Sequence, residues 1–184
     1  MPIQTPICDF GQKAHDFKLK STDNKIISLD DIKGENGTLI MFICNHCPYV
    51  KVVTREILED CNELKKIGIN SVAICSNDFV NYPDDSFENM IKFSNVNQFS
   101  FPYLHDETQE VAKSYDAVCT PDFFGYNKNL ELQYRGRLRE LKNFIPVKDG
   151  ESDLLKAMRQ VAETGSGPKD QSPSAGCGIK WKYD

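Results

Sequence analysis

The chain has 184 residues, 40% of them hydrophobic, and a formal net charge of −5. That size and composition suit one domain with a sizeable core, and an acidic balance without a basic cluster gives no support to nucleic-acid binding. No apolar stretch approaches the ~20 residues that span a bilayer, and Met1-Pro2-Ile3-Gln4-Thr5-Pro6 lacks the features of a secretion signal, so a cytoplasmic location is expected.

Phe17, Leu19, Ile27 and Leu29 flank a polar turn at Ser21 to Lys25, which predicts a β-hairpin between Asp16 and Leu29. Asp30 to Thr38, rich in glycine and charge, reads as a loop or a short turn of helix. Leu39-Ile40-Met41-Phe42-Ile43 is a continuous apolar run, as in a strand buried on both faces. Val50, Val53, Ile57, Cys61, Leu64 and Ile67 then recur every three or four residues, predicting one helix from Tyr49 to Ile67 that stops at Gly68. A second buried strand over residues 70–75 completes a parallel, right-handed β-α-β unit.

Beyond it the pattern predicts a helix over residues 86–95, an extended piece at 101–104 and a helix over 107–115. Two strands near 123–126 and 130–134 share a turn at Asn127-Lys128-Asn129, and a last helix covers 152–163. Residues 1–163 therefore read as the domain and 164–184 as a C-terminal tail. Thr164 to Gly178 is mostly Gly, Ser, Pro and charge, the composition of a flexible segment. Ile179, Trp181 and Tyr183 alternate after it, which a purely solvated tail has little reason to carry; the tail could fold back on the domain.

The chemistry-bearing motif is Cys44-Asn45-His46-Cys47, between the first buried strand and the long helix. Two cysteines so spaced can exchange one disulfide for two thiols. A free cysteine is only about 3% thiolate at pH 7, and the positive end of a helix favours the charged form. A structural zinc half-site would need a second ligand pair at zinc-site spacing, and the sequence has none. His46 could stabilise the neighbouring thiolate as an imidazolium, or simply be solvated at the helix start. Pro48 falls in the first helical turn, where a missing N–H costs least.

Seven cysteines is a high count for a reducing compartment, and the odd number argues against a fully paired disulfide framework. Cys8, Cys61 and Cys75 read as structural or incidental. Cys119 is either a further redox or metal-binding thiol or a buried small hydrophobe. Cys177 is either a resolving thiol brought back by the tail or an exposed bystander. His105 and Asp106 could join Cys44 and Cys47 around a metal, though a lone histidine is more often structural. Arg135 and Arg137 are expected to pair with acids at a sheet edge.

Taken together, the order of elements and three segments resemble a known family. The segments are Phe42-Ile43-Cys44-Asn45-His46-Cys47-Pro48-Tyr49-Val50, Cys119-Thr120-Pro121-Asp122 and Gly176-Cys177-Gly178-Ile179-Lys180-Trp181. They resemble the thioredoxin-like redoxins grouped with the alkyl hydroperoxide reductase and thiol-specific antioxidant proteins. The resemblance implies a thioredoxin fold: an α/β domain with a central mixed sheet flanked by helices, an N-terminal β-hairpin and an extended C-terminal tail. It implies a cis peptide before Pro121, with Thr120-Pro121 packed against the cysteines.

It further implies a thiol–disulfide oxidoreductase in which Cys44, the more exposed sulfur, attacks and Cys47 resolves. The partner would be a protein or small-molecule thiol or disulfide, without cofactor or metal. Two rivals remain. Peroxiredoxins carry Pro-x-x-x-Thr-x-x-Cys, and neither Cys44 nor Cys47 is preceded by that pattern. Copper-assembly proteins of this fold space their cysteines by three residues and add a distant histidine; here the spacing is two, with His105 as the candidate. The oligomeric state is open.

Overall fold

The structure, a computed structural model, describes residues 1–183. Its strands are β1 (Ile3–Gln4), β2 (Lys18–Ser21), β3 (Ile26–Ser28), β4 (Gly37–Phe42), β5 (Ile69–Cys75), β6 (Tyr103–His105), β7 (Cys119–Thr120), β8 (Asp122–Asn127), β9 (Leu132–Arg135), β10 (Leu141–Lys142), β11 (Ile145–Pro146) and β12 (Ala175–Gly178). Its helices are α1 (Leu29–Ile32), α2 (Pro48–Lys51), α3 (Thr54–Lys66), α4 (Phe87–Asn97), α5 (Glu110–Ser114) and α6 (Asp153–Thr164), with a 3₁₀ turn at Pro83–Asp85.

Seven strands form the main sheet in the order β3-β2-β6-β5-β4-β8-β9. β4 is an interior strand, parallel to β5 and antiparallel to β8, and every residue in it is buried. Its side chains alternate between two cores, as the pleat requires. Leu39, Met41 and Ile43 pack on one face with Ile57, Leu64, Leu154 and Met158; Ile40 and Phe42 pack on the other with Ala112, Tyr115 and Phe124. Helices on both faces of a mixed sheet give the α/β architecture expected from the sequence.

The helix predicted from Tyr49 to Ile67 is broken into α2 and α3. Val52 and Val53 are β-branched and helix-averse. The Val50 carbonyl is claimed by the Val53 N–H at 3.1 Å and by the Thr54 hydroxyl at 2.8 Å, which tightens the turn between them. The apolar stripe still faces inward across the break.

Composition also misleads at the C-terminus. β12 pairs antiparallel with β7 on one side and with β1 on the other, making a small second sheet. Ile179 is buried, and Lys180 is bonded through its N–H to Asn77 Oδ1 at 2.9 Å and through its carbonyl to Asp78 N at 2.8 Å. Ser174 donates its hydroxyl to Pro121 O at 2.7 Å. Backbone groups that a Gly/Ser-rich composition suggests are hydrated are instead paired with the domain. Among the described residues no helix is long and apolar enough to cross a membrane.

Candidate active site

β4 ends at Phe42, and the chain leaves the sheet at the Ile43 N–H, bonded to Ile74 O at 3.0 Å. Cys44 follows at once. Cys47 is the residue that opens α2; its carbonyl takes the N–H groups of Val50 and Lys51, and Pro48 supplies the N–H-free first position. Across from them runs the loop from β7 to β8, in which the Thr120–Pro121 peptide is cis. Thr120 engages both sulfurs: its Oγ1 lies 3.5 Å from Cys44 Sγ, and its carbonyl accepts from Cys47 Sγ at 3.3 Å.

Cys44, Cys47, Thr120 and Pro121 thus converge, but the sulfurs are not open to solvent. Cys44 is 1% exposed and Cys47 0%, so the expectation of a more exposed Cys44 does not hold. Asp85 lies within 4.8 Å of the Cys44 sulfur, and β12 pairs with β7 and packs on α2 beside Cys47. A groove lined by Tyr49, Pro121, Leu138 and Phe144 runs beside the cis-proline, yet neither sulfur lines it.

The sulfurs behave as one coupled acid, in which the first proton leaves easily and the second with difficulty. The Cys44–Cys47 hydrogen bond is the largest cause for both, lowering Cys47 well below the usual thiol range and raising Cys44 far above it. Burial and the nearby Asp85 charge add to the rise at Cys44. At Cys47 burial opposes the fall, while the Thr120 hydroxyl and the thiol and N–H of Cys177 assist it. The Thr120 carbonyl acts the other way, since a thiol donates to it and a thiolate is repelled. Both single-proton arrangements therefore have partners: Thr120 suits ionised Cys44 beside protonated Cys47, and Cys177 suits the reverse. With only four residues, α2 offers a weaker dipole than the long helix expected.

Asp85 has no counterpart in the sequence reading. Fully buried, its Oδ1 accepts from Asn45 N and its Oδ2 from Asn77 Nδ2, both at 2.8 Å. His46 Nδ1 is 2.5 Å from Asp85 Oδ2, outside hydrogen-bond geometry, and its ring stacks on Tyr82. Tyr103 donates its hydroxyl to Asn45 Oδ1 at 2.8 Å, fixing the residue between the cysteine and the histidine.

Ligand atoms of Cys44, His46 and Asp85 lie within 4.8 Å of one another, the set that could hold a metal. The Asn45 and Asn77 donors account for the carboxylate without one. His105 is not in this set: it packs between Phe79 and Phe87, with its Nε2 unpaired. Asp106 is a helix anchor, accepting from Ser76 Oγ at 2.7 Å and Ala112 N at 2.9 Å.

Cys119 is fully buried, its thiol directed to Pro121 O at 3.7 Å, and burial pushes its pKa far up. Cys177 is partly exposed on β12, directly opposite Thr120. Cys61 and Cys75 are buried in the core, and burial raises each to about 12. Cys8 is also raised by burial, to about 11. Arg135 is buried against Asp122 at 2.9 Å, and Arg137 pairs with Asp153 at 2.7 Å.

The AhpC/TSA family model matches residues 10–141, from ahead of the hairpin through the cysteine motif and the cis-proline. The chain belongs to the AhpC/TSA family. It is similar to an uncharacterized conserved protein from Geobacillus kaustophilus, at 41% identity and a TM-score of 0.94 over 100% of this chain and 98% of that one. A hypothetical protein from Sinorhizobium meliloti 1021 matches at 31% identity and 0.90 over 100% of both chains. The thioredoxin domain of a thiol-disulfide oxidoreductase from Bacteroides vulgatus shares the fold, with a TM-score of 0.58 and 19% identity over 73% of this chain and 89% of that one. No curated protein matches the sequence. This AhpC/TSA member is thus a thioredoxin-fold redoxin, from a group that includes thiol redox enzymes.

Proposed function

We propose that the protein is a thiol–disulfide oxidoreductase whose working pair is Cys44 and Cys47, acting on a protein or small-molecule disulfide. The observation that carries this reading is the shared grip of Thr120 on both sulfurs, hydroxyl to Cys44 and carbonyl to Cys47. It supports a transferable proton between two thiols, which dithiol exchange requires.

In the first step the pair's remaining proton passes from Cys44 to Cys47, the arrangement Thr120 suits, and the Cys44 thiolate attacks one sulfur of the substrate disulfide. A mixed disulfide forms and the first substrate thiolate leaves, taking the Cys47 proton. The Cys47 thiolate then attacks Cys44 Sγ, forms the Cys44–Cys47 disulfide and expels the second thiolate, protonated by water. The pair loses two electrons and the substrate gains them. His46 and Asp85 set the charge around Cys44. Because both sulfurs are buried, the reaction needs the segment bearing Asp85 or the C-terminal strand to give way.

Cys47→Ser should trap the mixed disulfide with a model disulfide such as oxidised glutathione, seen by mass spectrometry as one adduct on Cys44. The double variant Cys44→Ser/Cys47→Ser should form no such adduct at the site. A Cys47→Ser protein that traps nothing would overturn the assignment. The peroxidase alternative predicts instead rapid, saturable oxidation of the reduced protein by hydrogen peroxide.

A further inference from the structure

The edge of β7 beside the cysteine pair is occupied by the chain itself. β12 lies antiparallel to β7 with Cys177 directly opposite Thr120 and Gly178 opposite Cys119. Residues directly opposite in an antiparallel pair project to the same face. Thr120 points its hydroxyl at Cys44 Sγ, so Cys177 projects toward the cysteine pair as well. Its thiol and N–H bear on the Cys47 sulfur, and α2 packs on β12.

The approach is built into the sequence at Gly176. A Cβ there would sit 1.9 Å from Thr120 O and 2.7 Å from the carbonyl carbon, so no residue with a side chain can keep β12 this close. Hydrogen bonds at Ser174, Ile179 and Lys180 hold the strand on either side.

We propose that Cys177 is a third redox thiol, which moves the disulfide out of the buried pair by intramolecular exchange. This step rests on the Cys44–Cys47 oxidoreductase reading and extends it. The Cys177 thiolate attacks Cys47 Sγ of the Cys44–Cys47 disulfide. The Cys47–Cys177 bond forms, the Cys44–Cys47 bond breaks, and Cys44 leaves as a thiolate that takes up the proton Cys177 lost. No electrons enter or leave. Cys44 is free again, and the oxidised bond now includes a sulfur that is partly exposed, where an external dithiol can reduce it.

The test is peptide mapping of the full chain after titration with oxidised glutathione, acid quench, alkylation and trypsin. Cys44 and Cys47 share the peptide 34–51, whereas Cys177 falls in 170–180, so a Cys47–Cys177 bond joins two peptides and a Cys44–Cys47 bond does not. The wild type should yield both species, and Cys44→Ser should yield only the joined one. Cys177→Ser and Gly176→Val should lose the joined species while keeping the Cys44–Cys47 bond. Gly176→Val keeps every cysteine and displaces β12 against the Thr120 carbonyl, so beside Cys177→Ser it separates the role of the strand's position from that of the thiol. Joined peptides absent from both wild type and Cys44→Ser, with the Cys44–Cys47 bond present, would overturn the relay alone. No disulfide at any of the three positions would overturn the underlying oxidoreductase reading with it.

Discussion

Asp85 places a carboxylate within 4.8 Å of the Cys44 sulfur, in a site with almost no solvent to screen it. Near a protein surface such a charge is worth a few kcal/mol, enough to hold a thiol protonated well above its usual range. The same carboxylate anchors the loop through Asn45 and Asn77, one bond to each oxygen. Asp85→Asn removes the charge and keeps one acceptor oxygen, which can still take the Asn45 N–H, while the amide nitrogen that replaces the other oxygen donates instead. The pH midpoint for alkylation of Cys44 in a Cys47→Ser background should fall by roughly one to two units. An unchanged midpoint would remove Asp85 from the tuning of this thiol. Of the residues around the sulfurs, Cys44, His46, Cys47, Thr120 and Pro121 were readable because they lie in short contiguous motifs. Asp85 was not, because an acid in the run Tyr82-Pro83-Asp84-Asp85-Ser86 looks like any solvated turn. Only the tertiary fold carries it 40 positions back to Asn45.

At the scale of elements, the buried strand was readable as a continuous apolar run and the amphipathic helices from their 3.6-residue trace. The hairpin β10–β11 and the β1-β12-β7 sheet left none. Their strands are two to four residues long and held by backbone bonds, to which composition is blind. The packing of α6 on α3 adds a titratable contact. Ser152, which caps α6 by accepting from Leu155 N at 2.9 Å, donates its hydroxyl to Asp60 Oδ2 on α3 at 2.5 Å. Burial raises the Asp60 carboxyl to about 6, against the Ser152 donor and the Arg139 charge, which favour ionisation. An acid raised on folding binds its proton more tightly in the native state. Its contribution to stability is therefore full below about pH 4 and is lost as the pH rises through about 6. Denaturant titrations of wild type and Asp60→Asn should show that the variant loses less stability than wild type between about pH 4 and 7. Parallel profiles would assign that pH dependence elsewhere.

For the molecule as a whole, the family match over residues 10–141 stops short of α6 and the C-terminal strand. The relative with 41% identity aligns over the entire chain, strand included. In this chain Asp85, within the matched segment, lies against Cys44, and β12, beyond it, lies beside Cys47 through Cys177. Both sulfurs are buried, Cys44 1% and Cys47 0% exposed. The fold was readable but the state of the site was not. A Cys-x-x-Cys motif announces its strand-to-helix junction, while the segments beside it have sequences that resemble loops.

The central claim is that Cys44 and Cys47 form a reversible two-electron couple. The most direct measurement is an equilibrium titration of the purified full chain across a glutathione redox buffer, with mass spectrometry counting free thiols at each point. The account predicts one reversible transition that removes two thiols, both assigned to the Cys44–Cys47–Cys177 group, and that is lost in Cys47→Ser. A chain that keeps Cys44 and Cys47 reduced across the whole range, or oxidises them irreversibly, would contradict it.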